Sequence, residues 1–282
     1  MSERENDSAV CGLCPHHCHI AESETGLCAA RTNRGGKIVC QNYGQITSLA
    51  LDPIEKKPLY HFRPGSVILS VGSYGCNLIC PFCQNHEISR AKAGDLHIET
   101  LAPEALVQLA EDTRQKYGNI GVAFTYNEPL VGYEYVLDAA RLLQAAGLAV
   151  VLVTNGQIEV APLLRLLPFV DAMNIDLKGF TQSYYAWLGG DLETTKRTIA
   201  CAVAAGVHVE VTTLVVPGKN DAAEEMAAEA AFLAALSTDL PLHLTRYFPR
   251  YRLGLPPTSR ATLERLREVA RQSLRFVHLG NV

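Results

Sequence analysis

Cys76-Asn77-Leu78-Ile79-Cys80-Pro81-Phe82-Cys83 is the stretch on which the reading of this chain turns. Its three cysteines, spaced C-x3-C-x2-C, follow the apolar run Val67-Ile68-Leu69-Ser70-Val71-Gly72. A run of that length, ending in Gly72 and Gly75, predicts a buried strand that opens into a loop. Pro81 discourages a regular helix through that loop. Three thiols therefore leave the end of one strand together. Three thiolates can hold three irons of a 4Fe–4S cube, whose full set is four cysteines. The fourth iron would be open to a ligand that is not protein. Two other readings stand beside this one: a zinc site completed by a distant ligand, and cysteines packed as small apolar groups. The thiols are too close together to pack as independent core residues.

Upstream lies a second group, Cys11-x2-Cys14-x3-Cys18-x9-Cys28, with Pro15 and Gly26 bending the chain. Closed four-cysteine sites hold structural zinc or Fe–S clusters, and softness alone does not separate the two. His16, His17 and His19 lie between the thiols and could replace one of them. The plain alternative is a set of free surface cysteines and histidines. Nine cysteines, an odd number gathered at ligand spacings, fit a reducing cytoplasm better than a disulfide framework. Cys40 stands apart and is expected to be buried rather than a ligand.

The 282 residues, 48% apolar and 19% charged, are ordinary for one large α/β domain with a small appendage. The net charge of −4 gives no reason to expect a nucleic-acid partner. No stretch of about 18 apolar residues exists, so no membrane span is expected. The start, MSERENDSAV, lacks an apolar core, reads as no secretory signal, and suggests a loose terminus.

Residues 1–65 read as a cysteine-rich segment followed by a β extension. There 37–40 and 45–51 form a predicted hairpin about Asn42-Tyr43-Gly44, and 52–62 an extended connector. Over 66–282, apolar strands are predicted at 67–71, 120–124, 148–153, 170–175, 207–215 and 242–247, with a last one at 274–279. Helical patterns fall at 102–116, 130–146, 159–167, 193–205, 221–236 and 259–272. Apolar strands each followed by a helix predict a parallel sheet covered by helices. Six or more such units predict a complete or partial β/α barrel, whose working residues lie at the C-terminal strand ends. Polar groups do gather there: Thr125 to Glu128, Thr154-Asn155, Asp176 and Lys178, Lys219 to Asp221, and His243 with Arg246.

The C-x3-C-x2-C string with an aromatic before its third cysteine resembles the signature of radical S-adenosylmethionine (radical SAM) enzymes. The longer CNLICPFCQN resembles the branch containing pyruvate formate-lyase activating enzyme, and most of all the AmmeMemoRadiSam system radical SAM enzymes. The resemblance implies a 4Fe–4S cluster on Cys76, Cys80 and Cys83 that cleaves S-adenosylmethionine to a 5′-deoxyadenosyl radical, which takes a hydrogen atom from a substrate. A cysteine-rich entry also stands at the front of that family. The resemblance implies an electron donor such as a flavodoxin or ferredoxin. It leaves the substrate open between a glycine of a partner protein, which would make the chain a glycyl radical enzyme activase, and a different peptide or a small molecule, a protein partner being in line with the resemblance.

The resemblance also suggests roles. Glu128 stands where the family's Gly-Gly-Glu glutamate meets the amino group of S-adenosylmethionine, with Tyr126 and Asn127 in place of the two glycines. Lys178 would meet the carboxylate, with Asp176 holding the lysine or a small cation. Phe82 would lie by the adenine, and Thr154 and Asn155 by the ribose or methionyl part. Each has a plainer reading: Glu128 as a helix cap, Asp176 and Lys178 as a surface pair, His243 and Arg246 as structural groups. A different class of function, a zinc-stabilised binding or scaffold protein without redox chemistry, leaves the polar strand ends unexplained.

Overall fold

The computed structural model of the protein describes residues 8–282; the start expected to be a loose terminus lies outside them over residues 1–7. An eight-stranded sheet organises the chain: β1 (Ser48–Pro53), β2 (Val67–Gly72), β3 (Asn119–Phe124), β4 (Ala149–Thr154), β5 (Ala172–Asp176), β6 (His208–Val215), β7 (Leu242–Arg246) and β8 (Val277–Gly280). Spatial order follows chain order. β1 runs antiparallel to β2, and every later neighbour is parallel. β1 and β8 are the two free edges, so the sheet is a partial barrel.

Helices fill the crossovers: α1 (Pro103–Tyr117), α2 (Tyr133–Ala145), α3 (Val160–Leu166), the short α4 (Gln182–Trp187), α5 (Leu192–Ala204), α6 (Ala223–Leu236) and α7 (Arg260–Ala270). Local signals set several of their ends. Pro103 occupies the first turn of α1 and Gly118, at φ +71°, closes it. Asp191 caps α5 by accepting from the Thr194 N–H, and Ser259 caps α7 by accepting from the Thr262 N–H. One face of the sheet and the inner faces of these helices form the main core, in which Leu106, Val122, Leu152 and Val211 are fully buried.

The N-terminal part departs from the expected hairpin. Lys37–Cys40 pairs with Arg31–Arg34 rather than with 45–51. The reason is Gly35-Gly36, both at positive φ (61° and 74°), which make the two-residue turn that right-twisted strands favour. Their N–H groups donate to the Glu22 carboxylate. The following segment enters the main sheet as β1, so residues before 66 contribute one of its strands.

The connector 54–63 seals the N-terminal end of the strands. Ile54 and Leu59 pack on Ile68, Ala123, Val151 and Ala172. Asn174 Nδ2 donates to the Pro58 carbonyl at 2.8 Å, and the N–H groups of Tyr60 and His61 donate to Glu210 at 3.0 and 2.8 Å. His61 and His278 meet at 2.8 Å, tying this connector to the edge strand β8. With one end plugged, the opposite end, from which the cysteine loop springs, is the open one.

Candidate active site

Cys76, Cys80 and Cys83 leave β2 on the loop 73–85. Cys80 is buried, with Cys76 and Cys83 partly so. Asn127 shapes the approach to the first of them: its Nδ2 donates to the carbonyls of Tyr74 and Gly75, and its Oδ1 accepts from the Ser73 N–H at 3.0 Å. Asn85, just past Cys83, donates to the Tyr126 carbonyl at 2.7 Å. The loop is thus held at both ends by the turn after β3. Phe82 is buried against Trp187 and Tyr247, in an apolar cluster with Leu78, Tyr184 and Val216. Burial raises the Cys76 thiol well above its ordinary pKa and pushes Cys80 up to about 11, with neighbouring thiolates adding to both shifts. Such thiols become anions readily only beside a cation or a metal.

Two charged groups approach this loop from β5. Lys178 Nζ donates to Asp176 Oδ2 at 2.7 Å. Burial works against the ammonium, but Asp176, Cys80 and Cys83 outweigh it and hold the lysine above its ordinary pKa. The Lys178 backbone is fixed from two sides: its N–H donates to the Tyr185 hydroxyl, and its carbonyl accepts from Asn220 Nδ2 at 2.8 Å.

Glu128 is 3% exposed, and its carboxylate is turned toward the chain itself. Oε1 accepts from Thr154 Oγ1 at 2.7 Å and from the Leu130 N–H at 3.1 Å, and Oε2 accepts from the Asn155 N–H at 2.8 Å. It caps the turn Pro129–Gly132 while joining the ends of β3 and β4. Burial pushes it up to about 7 against the pull of these donors. Asn155 extends the network: its Nδ2 donates to Asn77 Oδ1 at 2.9 Å and lies 3.6 Å from Cys76 Sγ.

His243 and Arg246 do not share in this arrangement. His243 is the second residue of β7, near the plugged end, where its ring bonds Glu210 Oε2 at 2.7 Å and stacks on His278. The same carboxylate accepts the connector's N–H groups, so a long-range structural partner accounts for this histidine. Arg246 Nε donates to the Thr258 carbonyl, and its guanidinium lies over the Phe248 ring.

Sequence reading passed over Asn77 and Gln157, and noted Tyr126 only as a replacement for a glycine. Asn77 is 2% exposed and Gln157 1% exposed; amides this deeply placed are held by bonds to distant chain segments. Tyr126 carried a faint signal: it occupies a position where glycine is expected and takes φ +74°.

Cys11, Cys14, Cys18 and Cys28 line one small pocket, together with His16 and Asn77. Among the described residues, no three His, Cys, Asp or Glu side chains converge as a single metal ion would require. No helix among them is long and apolar enough to cross a membrane.

Residues 70–230 match the family described as the Radical SAM superfamily. Over 284 aligned residues, 99% of this chain and 84% of the relative, the sequence is 40% identical to the uncharacterized protein MJ0808 of Methanocaldococcus jannaschii. QueE from Escherichia coli superposes with a TM-score of 0.54 at 17% identity, over 84% of this chain and 93% of that one. SuiB from Streptococcus suis, bound to precursor peptide SuiA, gives 0.55 at 17% identity, over 74% and 47%. A domain of pyruvate-formate lyase-activating enzyme from Bacteroides vulgatus gives 0.50 at 17% identity, over 57% and 99%. At such identities the solved structures speak to the fold, which agrees with the mainly parallel sheet found here. The family match spans more than half of the sequence, and on that ground the chain belongs to the Radical SAM superfamily.

Proposed function

We propose that Cys76, Cys80 and Cys83 each ligate one iron of the 4Fe–4S cluster that membership of this superfamily implies, and that S-adenosylmethionine completes its coordination. The observation that carries this reading is the placing of three thiols on one loop at the open strand ends, with Lys178 close enough to Cys80 and Cys83 for their charges to couple. The donor set fits the group: three soft sulfurs, with the partly buried Asp176–Lys178 pair reaching toward them. When bound, cluster and S-adenosylmethionine supply one-electron cleavage of the sulfonium C–S bond, which yields a carbon radical able to take hydrogen from a substrate.

The chain's own residues bind and orient. Lys178, steadied by Asp176, supplies the cation for the carboxylate of S-adenosylmethionine. Glu128 offers about four lone-pair positions, of which the N–H groups of Leu130 and Asn155 and the Thr154 hydroxyl take three, leaving one directed acceptor for the ammonium. Phe82 contributes an apolar wall on the adenine side. Asn127 and Asn155 hold the loop and the Cys76 sulfur in place and bind no cofactor group themselves. Cys11, Cys14, Cys18 and Cys28 form a second metal site.

The substrate in this reading is a polypeptide. SuiB, of similar fold, is solved with its precursor peptide, and the mouth of this barrel carries exposed Arg250 and Arg252 without a salt bridge among the described residues. A flavodoxin or ferredoxin serves as electron donor.

The test is anaerobic reconstitution with iron and sulfide, chemical reduction, and chromatography for 5′-deoxyadenosine and methionine after adding S-adenosylmethionine. Wild type is expected to form both, and Cys76→Ala/Cys80→Ala/Cys83→Ala neither. A wild-type protein that loads about four irons on this loop yet neither binds nor cleaves S-adenosylmethionine would sink the reading.

A further inference from the structure

Tyr184 carries a hydroxyl that the chain itself does not use. The side chain is 5% exposed, and its Oη has no hydrogen-bond partner among the described residues. Burying a hydroxyl unpaired is costly, so an orphan of this kind points to a further bonding partner. Tyr185 beside it and Tyr247 in the same apolar cluster spend theirs. Tyr185 accepts the Lys178 N–H at 3.1 Å, and Tyr247 donates to the Leu253 carbonyl at 2.7 Å. The hydroxyls of Tyr74 and Tyr135 are also unpaired, but only Tyr184 of the three lies in the buried cluster that includes Cys80, against which Cys76 and Cys83 pack.

α4 carries this residue to the cysteine loop. The Thr181 hydroxyl caps the helix by accepting from the Tyr184 N–H. Just past its end, the Leu188 carbonyl accepts at 2.8 Å from the N–H of Ile79, the residue before Cys80. Gly189 and Gly190 allow this approach: a Cβ on the first would sit 2.9 Å from Ile79, and on the second 2.6 Å from Leu78. The Leu188 N–H donates back to the Tyr184 carbonyl, so the two residues lie one turn apart on the face that meets the loop. The Tyr184 ring rests on Gly179, where a Cβ would come 2.6 Å from its Cδ1, and packs on Trp187 with ring centroids 5.4 Å apart. Burial pushes the phenol up the most, and the Cys80 thiolate is the charge that adds most to it.

The sulfurs of the loop are unequally served. Cys76 Sγ has the Leu78 N–H at 3.4 Å and Asn155 Nδ2 at 3.6 Å. Cys80, deeper in the apolar cluster, draws on its own N–H. An anionic sulfur in such surroundings favours a further donor.

We infer that the Tyr184 hydroxyl donates a hydrogen bond to sulfur at the Cys80 corner of the 4Fe–4S cluster, and that this bond raises the cluster's reduction potential. This rests on the ligation proposed above for Cys76, Cys80 and Cys83. Reduction adds negative charge to the cluster, and a donor aimed at its sulfur stabilises that charge. Tyr184 transfers neither proton nor electron; it positions a dipole.

The experiment loads wild type, Tyr184→Phe and Cys76→Ala/Cys80→Ala/Cys83→Ala anaerobically with iron and sulfide. A redox titration follows by low-temperature EPR, with and without S-adenosylmethionine. The signal of the loop cluster is the one missing from the triple variant. Tyr184→Phe keeps the ring and its packing, and is expected to load as much iron as wild type. Its one-electron equilibrium should shift about tenfold against reduction, the weight of one hydrogen bond to an anion, or about 59 mV. The shift should be present before S-adenosylmethionine is added. Equal potentials overturn the inference. So does a shift seen only with S-adenosylmethionine, which would assign the hydroxyl to that cofactor. Should Tyr184→Phe load less iron than wild type, Gly179→Ala decides: it keeps the hydroxyl but displaces the ring, and an unchanged potential there overturns the inference. If wild type and the triple variant load the same iron, the ligation by Cys76, Cys80 and Cys83 fails and this inference falls with it.

Discussion

The hydroxyl of Tyr126 donates to Asp52 Oδ2 at 2.8 Å, and the backbone at Tyr126 takes φ +74° to deliver it. The same carboxylate accepts from Lys57 Nζ at 2.8 Å, and that ammonium lies 4.7 Å from the centre of the tyrosine ring. Burial opposes the charge on Asp52, but Lys57 and Tyr126 outweigh it and hold the carboxyl well below the usual carboxylate range. A bulky residue at positive φ costs on the order of 1–3 kcal/mol, which the buried charge network offsets.

Removing Lys57 strips the Asp52 carboxylate of its buried cation and leaves it only the exposed Lys56 ammonium, 3.2 Å from Oδ1. Lys57→Met should cost about 1–3 kcal/mol in urea unfolding, and Tyr126→Phe about 1 kcal/mol. The depressed Asp52 pKa stabilises the fold above its unfolded value of about 4, and that contribution is lost as pH falls below it. Asp52→Asn should therefore show a shallower loss of stability than wild type between about pH 4 and 2. Parallel curves would refute the assignment.

Glu128 satisfies three donors at the ends of β3 and β4. Glu128→Ala strands them in a buried place and should destabilise by about 2–4 kcal/mol. Glu128→Gln keeps an acceptor and should cost about 1 kcal/mol, while weakening binding of S-adenosylmethionine. Equal stability of the two variants in chemical denaturation would contradict this account.

Glu229, 1% exposed on α6, meets Thr213 of β6 through a short hydrogen bond. Burial pushes its carboxyl up to about 8. A carboxyl with a raised folded pKa favours the fold while protonated, so its contribution is full below about pH 4 and drains away as pH rises toward 8. Glu229→Gln should melt higher than wild type at pH 8 and close to it at pH 4. A constant difference across that range would count against the burial argument.

Gly75 sits at φ +90° against the Cys28 carbonyl. Gly75→Ala must push the N-terminal cysteine segment off the loop of Cys76. It should lower stability by roughly 1–3 kcal/mol and raise the reactivity of Cys14 and Cys28 toward a thiol reagent in metal-free protein. Wild-type thiol reactivity would show that the two segments are not clamped at this point.

The strands of the parallel sheet were legible because each is a short apolar run covered on both sides, and burial on two faces leaves that mark in any window of six residues. The helical patterns at 102–116, 193–205 and 259–272 lie within two residues of the observed helices, whose ends are set by Pro103, Gly118, Asp191 and Ser259 acting on backbone within a few residues. The N-terminal hairpin was misread where two turns competed, and the adjacent glycines Gly35 and Gly36 won because only they accept positive φ twice in succession without strain.

By itself, then, the sequence determined the period of the strands, the three thiols on one loop and the family to which they point, because each of these is a matter of local spacing. Only the tertiary structure decided which strand-end polar groups face the loop and which answer one another. Glu128 meets Thr154 across 26 residues, His243 meets Glu210 across 33, and His16 meets Asn77 across 61. A buried polar group takes whichever partner the folded chain brings within about 3 Å. That partner is set by the packing of whole strands and helices, which no local pattern around the residue records.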